Sequence, residues 1–172
     1  GREEMRNTIL SWLPEDMSAS RLLDAGCGTG MLALKAAERG ADVVAIDISP
    51  KLIEEAQQRA TGQAIPGTIE FKAGDMTDPH LGSFDYVVAM DSVIHYPLPV
   101  MTEILESFAA RTNEKLIFTF APYTPMLGAM KAIGKLFPRN DRSPAIEPVR
   151  ENELRDAMAS KPKTSDCFAI NQ

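Results

Sequence analysis

Hydrophobic positions along the chain fall into two alternating kinds of run. Short, nearly continuous apolar or β-branched stretches occupy residues 21–25, 42–48, 68–72, 84–90 and 115–121. Runs of that length predict strands, and the near-continuous ones predict burial on both faces. Between them lie stretches with apolar residues at helical spacing: 31–38, closed by Gly40; 51–60, opened by Ser49-Pro50; and 97–110. A glycine just past a helix and a proline in its first turn are the expected boundary residues. Ahead of the first strand, Met5, Ile9, Leu10, Trp12 and Leu13 share one broad helical face over residues 2–13, which Pro14 stops. Strands alternating with helices predict an α/β fold with an open, mostly parallel sheet and helices on both faces.

The pattern changes after Pro122. Met126, Leu127, Met130, Ile133 and Phe137 form a stripe near helical spacing, followed by a proline-rich, charged loop over 138–148. Residues 149–160 read as an amphipathic helix, and 164–170 as one further strand. The 172 residues make one domain, with 1–14 as an N-terminal helix and 122–148 as an insertion expected to cap the site.

Composition narrows the function. With 44% hydrophobic and 24% charged residues, the chain is an ordinary globular one rather than fibrous or disordered. A net charge of −6 without a basic run argues against a nucleic-acid partner. Two cysteines, Cys27 and Cys167, make neither a disulfide framework nor a zinc site, which points to a reducing compartment. No metal site of the protein's own is expected. No apolar stretch approaches the ~20 residues of a transmembrane helix, and no signal peptide is visible. The chain begins at Gly1 rather than Met, so residues upstream are expected.

Chemistry concentrates in Asp24-Ala-Gly-Cys-Gly-Thr-Gly30. A glycine loop between strand and helix lets backbone approach a ligand and aims helix N–H groups at it. The spacing is G-x-G-x-G rather than the G-x-G-x-x-G of dinucleotide binders. The acidic Asp24 suits a cationic group, which favours S-adenosylmethionine (SAM) over NAD. Asp47 ends the second strand, where a carboxylate suits ribose hydroxyls. Asp75, after the third strand, suits an adenine amino group. Gly26, Cys27, Gly28, Gly30, Ile48, Met76 and Met90 complete the expected cofactor-binding set. Each carboxylate also has a structural reading, as a helix cap or a solvated loop residue. Cys27 reads as a packed turn residue rather than a nucleophile.

Residues 24–30, Asp47 and Gly74-Asp75 together resemble class I SAM-dependent methyltransferases. That resemblance implies a Rossmann-like fold with a closing antiparallel strand, for which the tail here is short. A narrower resemblance rests on Asp91-Ser-Val-Ile-His95-Tyr96-Pro97, on Phe120-Ala-Pro122 with Thr124, Leu127, Gly134 and Leu136-Phe137-Pro138, and on Trp12-Leu13-Pro14. These segments are similar to the magnesium-protoporphyrin IX O-methyltransferase family. The resemblance implies methyl transfer to the 13-propionate of Mg-protoporphyrin IX, in chlorophyll or bacteriochlorophyll synthesis. It implies an N-terminal arm over the active site and magnesium chelatase as a partner. It also implies a location in the cytoplasm or a plastid stroma, with peripheral contact at photosynthetic membranes. Magnesium would enter only with the porphyrin.

His95 is the expected catalytic residue. It would orient the propionate, take a proton from it, or approach the porphyrin's magnesium; the alternative is a turn histidine bonded to backbone. Tyr96, Met126 and Met130 are the expected substrate contacts, with core packing as the alternative for each. His80 reads as solvent-facing. Lys131 and Lys135 beside the apolar stripe suit a membrane surface. Two other functions fit the same residues: methyl transfer to another small acceptor such as a quinone precursor, and a non-catalytic SAM- or porphyrin-binding module.

Overall fold

The computed structural model describes residues 1–126, 129 and 145–160 in full and the backbone of 167–171. The described elements run α1 (Arg2–Ser11), β1 (Arg21–Ala25), α2 (Met31–Glu38), β2 (Asp42–Asp47), α3 (Pro50–Ala60), β3 (Thr68–Ala73), β4 (Phe84–Ala89), α4 (Leu98–Ala110), β5 (Thr112–Phe120), α5 (Glu151–Ala159) and β6 (Cys167–Asn171). Two 3-10 turns, Pro79–Leu81 and Val93–His95, flank β4.

The strands form one sheet in the order β3-β2-β1-β4-β5-β6. Every pairing in it is parallel. Side chains alternate between its two faces. Leu22, Val43, Ala45, Val88 and Ile117 pack with Ile9 and Leu10 of α1 and with Leu32, Ala33 and Ala36 of α2. Leu23, Val44, Val87 and Phe118 pack on the other face with Met101, Leu105 and Phe108 of α4 and with Leu154 and Met158 of α5. Burial on both faces explains why these strands read as apolar runs rather than as alternating patterns.

Two boundaries differ from the sequence reading. β5 starts at Thr112, ahead of the apolar run. A bulge sits there: Phe84 pairs with Thr112 and Tyr86 with Lys115, so the partner strand carries one extra residue. The polar Thr112-Asn113-Glu114 hides this part of the strand. The expected antiparallel closing strand is not among the described residues; β6 lies parallel to β5. The chain between them includes α5, and a helical crossover returns the chain to the same end of the sheet, whereas a tight hairpin reverses it.

α1 is anchored at its C-terminal end. Arg39 Nη1 donates to the carbonyls of Leu10 (2.7 Å), Leu13 (3.3 Å) and Pro14 (3.1 Å). Lys115 Nζ donates to the Trp12 carbonyl at 3.0 Å. These cations satisfy carbonyls that a helix end leaves without intrahelical partners.

Strand order reverses between β1 and β4, since β2 lies on one side of β1 and β4 on the other. Open α/β sheets bind ligands at the carboxyl ends of the strands beside such a switch point.

Candidate active site

The glycine loop leaves β1 at the switch point and turns on residues with positive φ. Gly26 has φ 79°, and a Cβ there would lie 2.4 Å from Ser92 Cβ. The loop therefore packs directly on the turn after β4. Gly28 has φ 55°, and a Cβ there would meet nothing within 4 Å. Its missing side chain leaves an open cradle rather than a tight contact.

The loop's first N–H groups do not face that cradle. Gly26 and Cys27 donate to the Ile46 carbonyl at 2.9 and 3.0 Å. Gly28 donates to Asp47 Oδ2 at 2.9 Å. Asp47 Oδ1 accepts from Ser49 N at 2.9 Å. The Asp47 carboxylate thus ties the loop to the end of β2, and each oxygen keeps a second lone pair for a ribose hydroxyl. Beside it Ile48 is 79% exposed, an apolar face available to a purine ring.

Asp24 lies deeper than expected. It shares the face of Leu22, beneath the start of α2, and is 2% exposed. Its Oδ2 accepts from Ala33 N at 3.1 Å. Burial pushes its pKa up to about 7; the Ala33 bond opposes that shift and the nearby Asp47 charge adds to it. Its carboxyl therefore acts first as an anchor for α2. Cys27 is half-buried, and burial together with Asp24 and Asp47 holds its thiol protonated, so it is no nucleophile.

The other expected cofactor contacts separate. Asp75 is exposed, and its Oδ1 accepts from Thr77 N (2.8 Å) and Thr77 Oγ1 (2.7 Å). Gly74 N bonds the Asp47 carbonyl at 2.9 Å, which sets Asp75 beside Asp47. Met76 is buried in the α4-side core, so its side chain serves packing. Met90 is half-buried against the α2-side core.

His95 ends the 3-10 turn after β4. Its Nδ1 lies 3.3 Å from the Ala145 carbonyl. A carbonyl only accepts, so Nδ1 carries the hydrogen and Nε2 is the ring nitrogen left for a ligand. The segment carrying Ala145 is clamped to this turn: Glu147 N donates to the Ile94 carbonyl at 2.8 Å. Val149 N donates to the Ala121 carbonyl, and Tyr123 N to the Val149 carbonyl, both at 2.9 Å. Tyr96, Tyr123, Met126 and Ile146 are exposed apolar residues along these segments. Met130, Lys131, Lys135 and most of the 122–148 insertion lie outside the described residues. His80, 92% exposed, hydrogen-bonds Asp78.

Sequence reasoning missed one contact at this mouth. Arg2 Nε lies 3.0 Å from Asp91 Oδ2, linking the start of α1 to the end of β4. No local signal announces a pair 89 positions apart in the chain.

An open glycine cradle at the switch point, a carboxylate ending β2 and a histidine after β4 are the arrangement of a class I SAM-dependent methyltransferase. Comparison with known proteins supports this. A methyltransferase-domain family model matches residues 22–115, and one for the magnesium-protoporphyrin IX methyltransferase C-terminus matches 89–169. The chain is 50% identical over 155 residues to magnesium-protoporphyrin O-methyltransferase of Rhodobacter capsulatus, covering 90% of this chain and 69% of that protein. It is 34% identical over 161 residues to the enzyme of that name from Synechocystis sp., covering 92% and 70%. The crystal structure of magnesium protoporphyrin IX methyltransferase from Synechocystis PCC 6803 with bound S-adenosylhomocysteine (SAH) matches with a TM-score of 0.74 at 30% identity, over 91% of this chain and 70% of that one. The chain belongs to the magnesium-protoporphyrin IX methyltransferase family. Among the described residues, no helix is long and apolar enough to cross a membrane.

Proposed function

We propose that this chain transfers a methyl group from SAM to the 13-propionate carboxylate of Mg-protoporphyrin IX, giving the monomethyl ester. The observation that carries the reading is His95: its Nδ1 meets the Ala145 carbonyl, its Nε2 has no partner among the described residues, and the turn it ends begins at Ser92, which packs against the glycine loop.

When bound, SAM supplies a methyl group on a sulfonium, and its displacement leaves a neutral thioether. A propionate is ionised at pH 7 (ordinary carboxyl values are ~4), so no strong base is needed. The protein's work is orientation and exclusion of water, which can lower a barrier by up to ~7–11 kcal/mol in ideal cases. Asp47 would hold the ribose through its unused lone pairs, Ile48 would offer an apolar face to the adenine, and Asp75 Oδ2 would accept from the adenine amino group. Asp24, Gly26, Cys27, Gly28, Gly30 and Met90 would shape the floor beneath, while the Met76 side chain belongs to the core. His95 Nε2 orients the propionate. Tyr96 and Met126 would offer apolar faces to the macrocycle. Magnesium chelatase hands over the porphyrin at a location peripheral to photosynthetic membranes.

Incubation with SAM and Mg-protoporphyrin IX tests the reading: monomethyl ester and SAH should appear in equal amounts. In calorimetry, Asp47→Ala should weaken SAH at least ~10-fold, as expected for lost hydrogen bonds to a charged group. SAH binding without ester formation at saturating porphyrin would refute the acceptor, and undiminished SAH binding by the variant would refute the donor site.

A further inference from the structure

The turn after β4 contains a hydroxyl with no use inside the protein. Asp91 adopts φ 56°, a left-handed conformation disfavoured for a residue with a Cβ. Its N–H donates to Thr119 Oγ1 at 2.8 Å. That bond fixes the direction in which residue 92 leaves the sheet. Ser92 then stands at the N-cap of the 3-10 turn, where a serine ordinarily bonds a following N–H group. Here its side chain makes no capping bond. Its Oγ is nevertheless buried, and has no hydrogen-bond partner among the described residues. It faces the glycine loop: a Cβ on Gly26 would lie 3.2 Å from Ser92 Oγ. A buried hydroxyl without a partner is unfavourable and calls for a specific explanation.

We infer that the Ser92 hydroxyl is a ligand for the amino-acid end of the methyl donor, and thereby a positioning residue for the sulfonium. The inference rests on SAM binding at the glycine loop. Position separates the two ends of the donor. Asp47, Ile48 and Asp75 follow β2 and β3, on one side of β1. Ser92 follows β4, on the other side, and touches the loop from there. A donor with its ribose at Asp47 that crosses the loop reaches Ser92 with its far end. That end is a zwitterion, an α-ammonium and an α-carboxylate. A hydroxyl can accept from the first or donate to the second. The neighbouring Asp91 carboxylate already faces Arg2.

Calorimetric titration of wild type and Ser92→Ala with SAH and with 5′-methylthioadenosine tests this. The second compound keeps the adenosine and sulfur but lacks the amino-acid end. The substitution removes one oxygen and leaves nothing unpaired, so the free protein should melt no lower than wild type. SAH should bind about tenfold more weakly to the variant, the size expected of a hydrogen bond to a charged group. Methylthioadenosine affinity should not change. A variant that binds SAH like wild type, or that loses both ligands equally, overturns the inference while the donor site stands. Failure of the wild type to bind SAH overturns both.

Discussion

The donor and acceptor sides of this site are built in different ways. Around the donor, backbone does the holding. Gly28 bonds Asp47, Asp24 bonds Ala33, and Asp47 bonds Ser49, all between residues fewer than twenty positions apart. Around the acceptor, the bonds join distant segments: Asp91 to Thr119 and His95 to Ala145. The surfaces there are exposed tyrosine, methionine and isoleucine. In the proposed function, a small, highly polar donor would meet fixed dipoles, and a large flat acceptor would meet apolar side chains, of which methionine adapts readily to shape.

Substitutions can break this contrast, beginning within the glycine loop. Gly26→Ala places a Cβ 2.4 Å from Ser92 Cβ at a positive φ. The expected loss is about 2–4 kcal/mol, a melting point lower by roughly 5–15 °C. Gly28→Ala has the same backbone strain without the clash. It should cost ~1 kcal/mol of stability and weaken SAH instead, because its methyl group enters the cradle. Equal melting losses for the two would show that the loop is not divided into a packed end and an open end.

On the acceptor side, His95→Ala should slow ester formation ~10–100-fold, or ~1.4–2.7 kcal/mol, with SAH affinity unchanged. Weakened SAH binding would place His95 with the donor and erase the distinction.

The smallest effect concerns pH. Asp24 is raised to about 7 from an ordinary 3.8. The folded state therefore holds a proton that the unfolded state releases. The resulting stabilisation is complete below pH ~4 and is lost as pH rises through ~7. Between pH 6 and 7 the wild type should lose on the order of 1 kcal/mol that Asp24→Asn keeps. Thermal melts of both proteins across that interval measure it. Parallel curves would mean that Asp24 is ionised throughout.

Legibility in the sequence follows the same division. The parallel strands, their helices and the residues of the glycine loop can be read locally, because period, caps and turn residues lie within a few positions of one another. Met31–Glu38 is helical over the predicted span. The start of β5 was hidden because a bulge makes the strand out of polar residues. Asp24 was expected to face a cationic ligand, but its depth under α2 and its bond to Ala33 depend on which sheet face β1 presents there. Arg2 at Asp91 and Ala145 at His95 depend on the completed fold, and no spacing in the chain encodes them.

The anchoring of α1 by Arg39 has a mechanical consequence. Ten residues of helix span about 15 Å. Fixed near Leu10 and Pro14, α1 is a lever whose opposite end carries Arg2. A tilt of about 5° at the fulcrum sweeps that end by roughly 1.3 Å over this length. That sweep is enough to part Arg2 from Asp91. Arg39 thus sets the aim of a guanidinium at the far end of the helix, and truncating it would be felt at the mouth of the site before it was felt in the core.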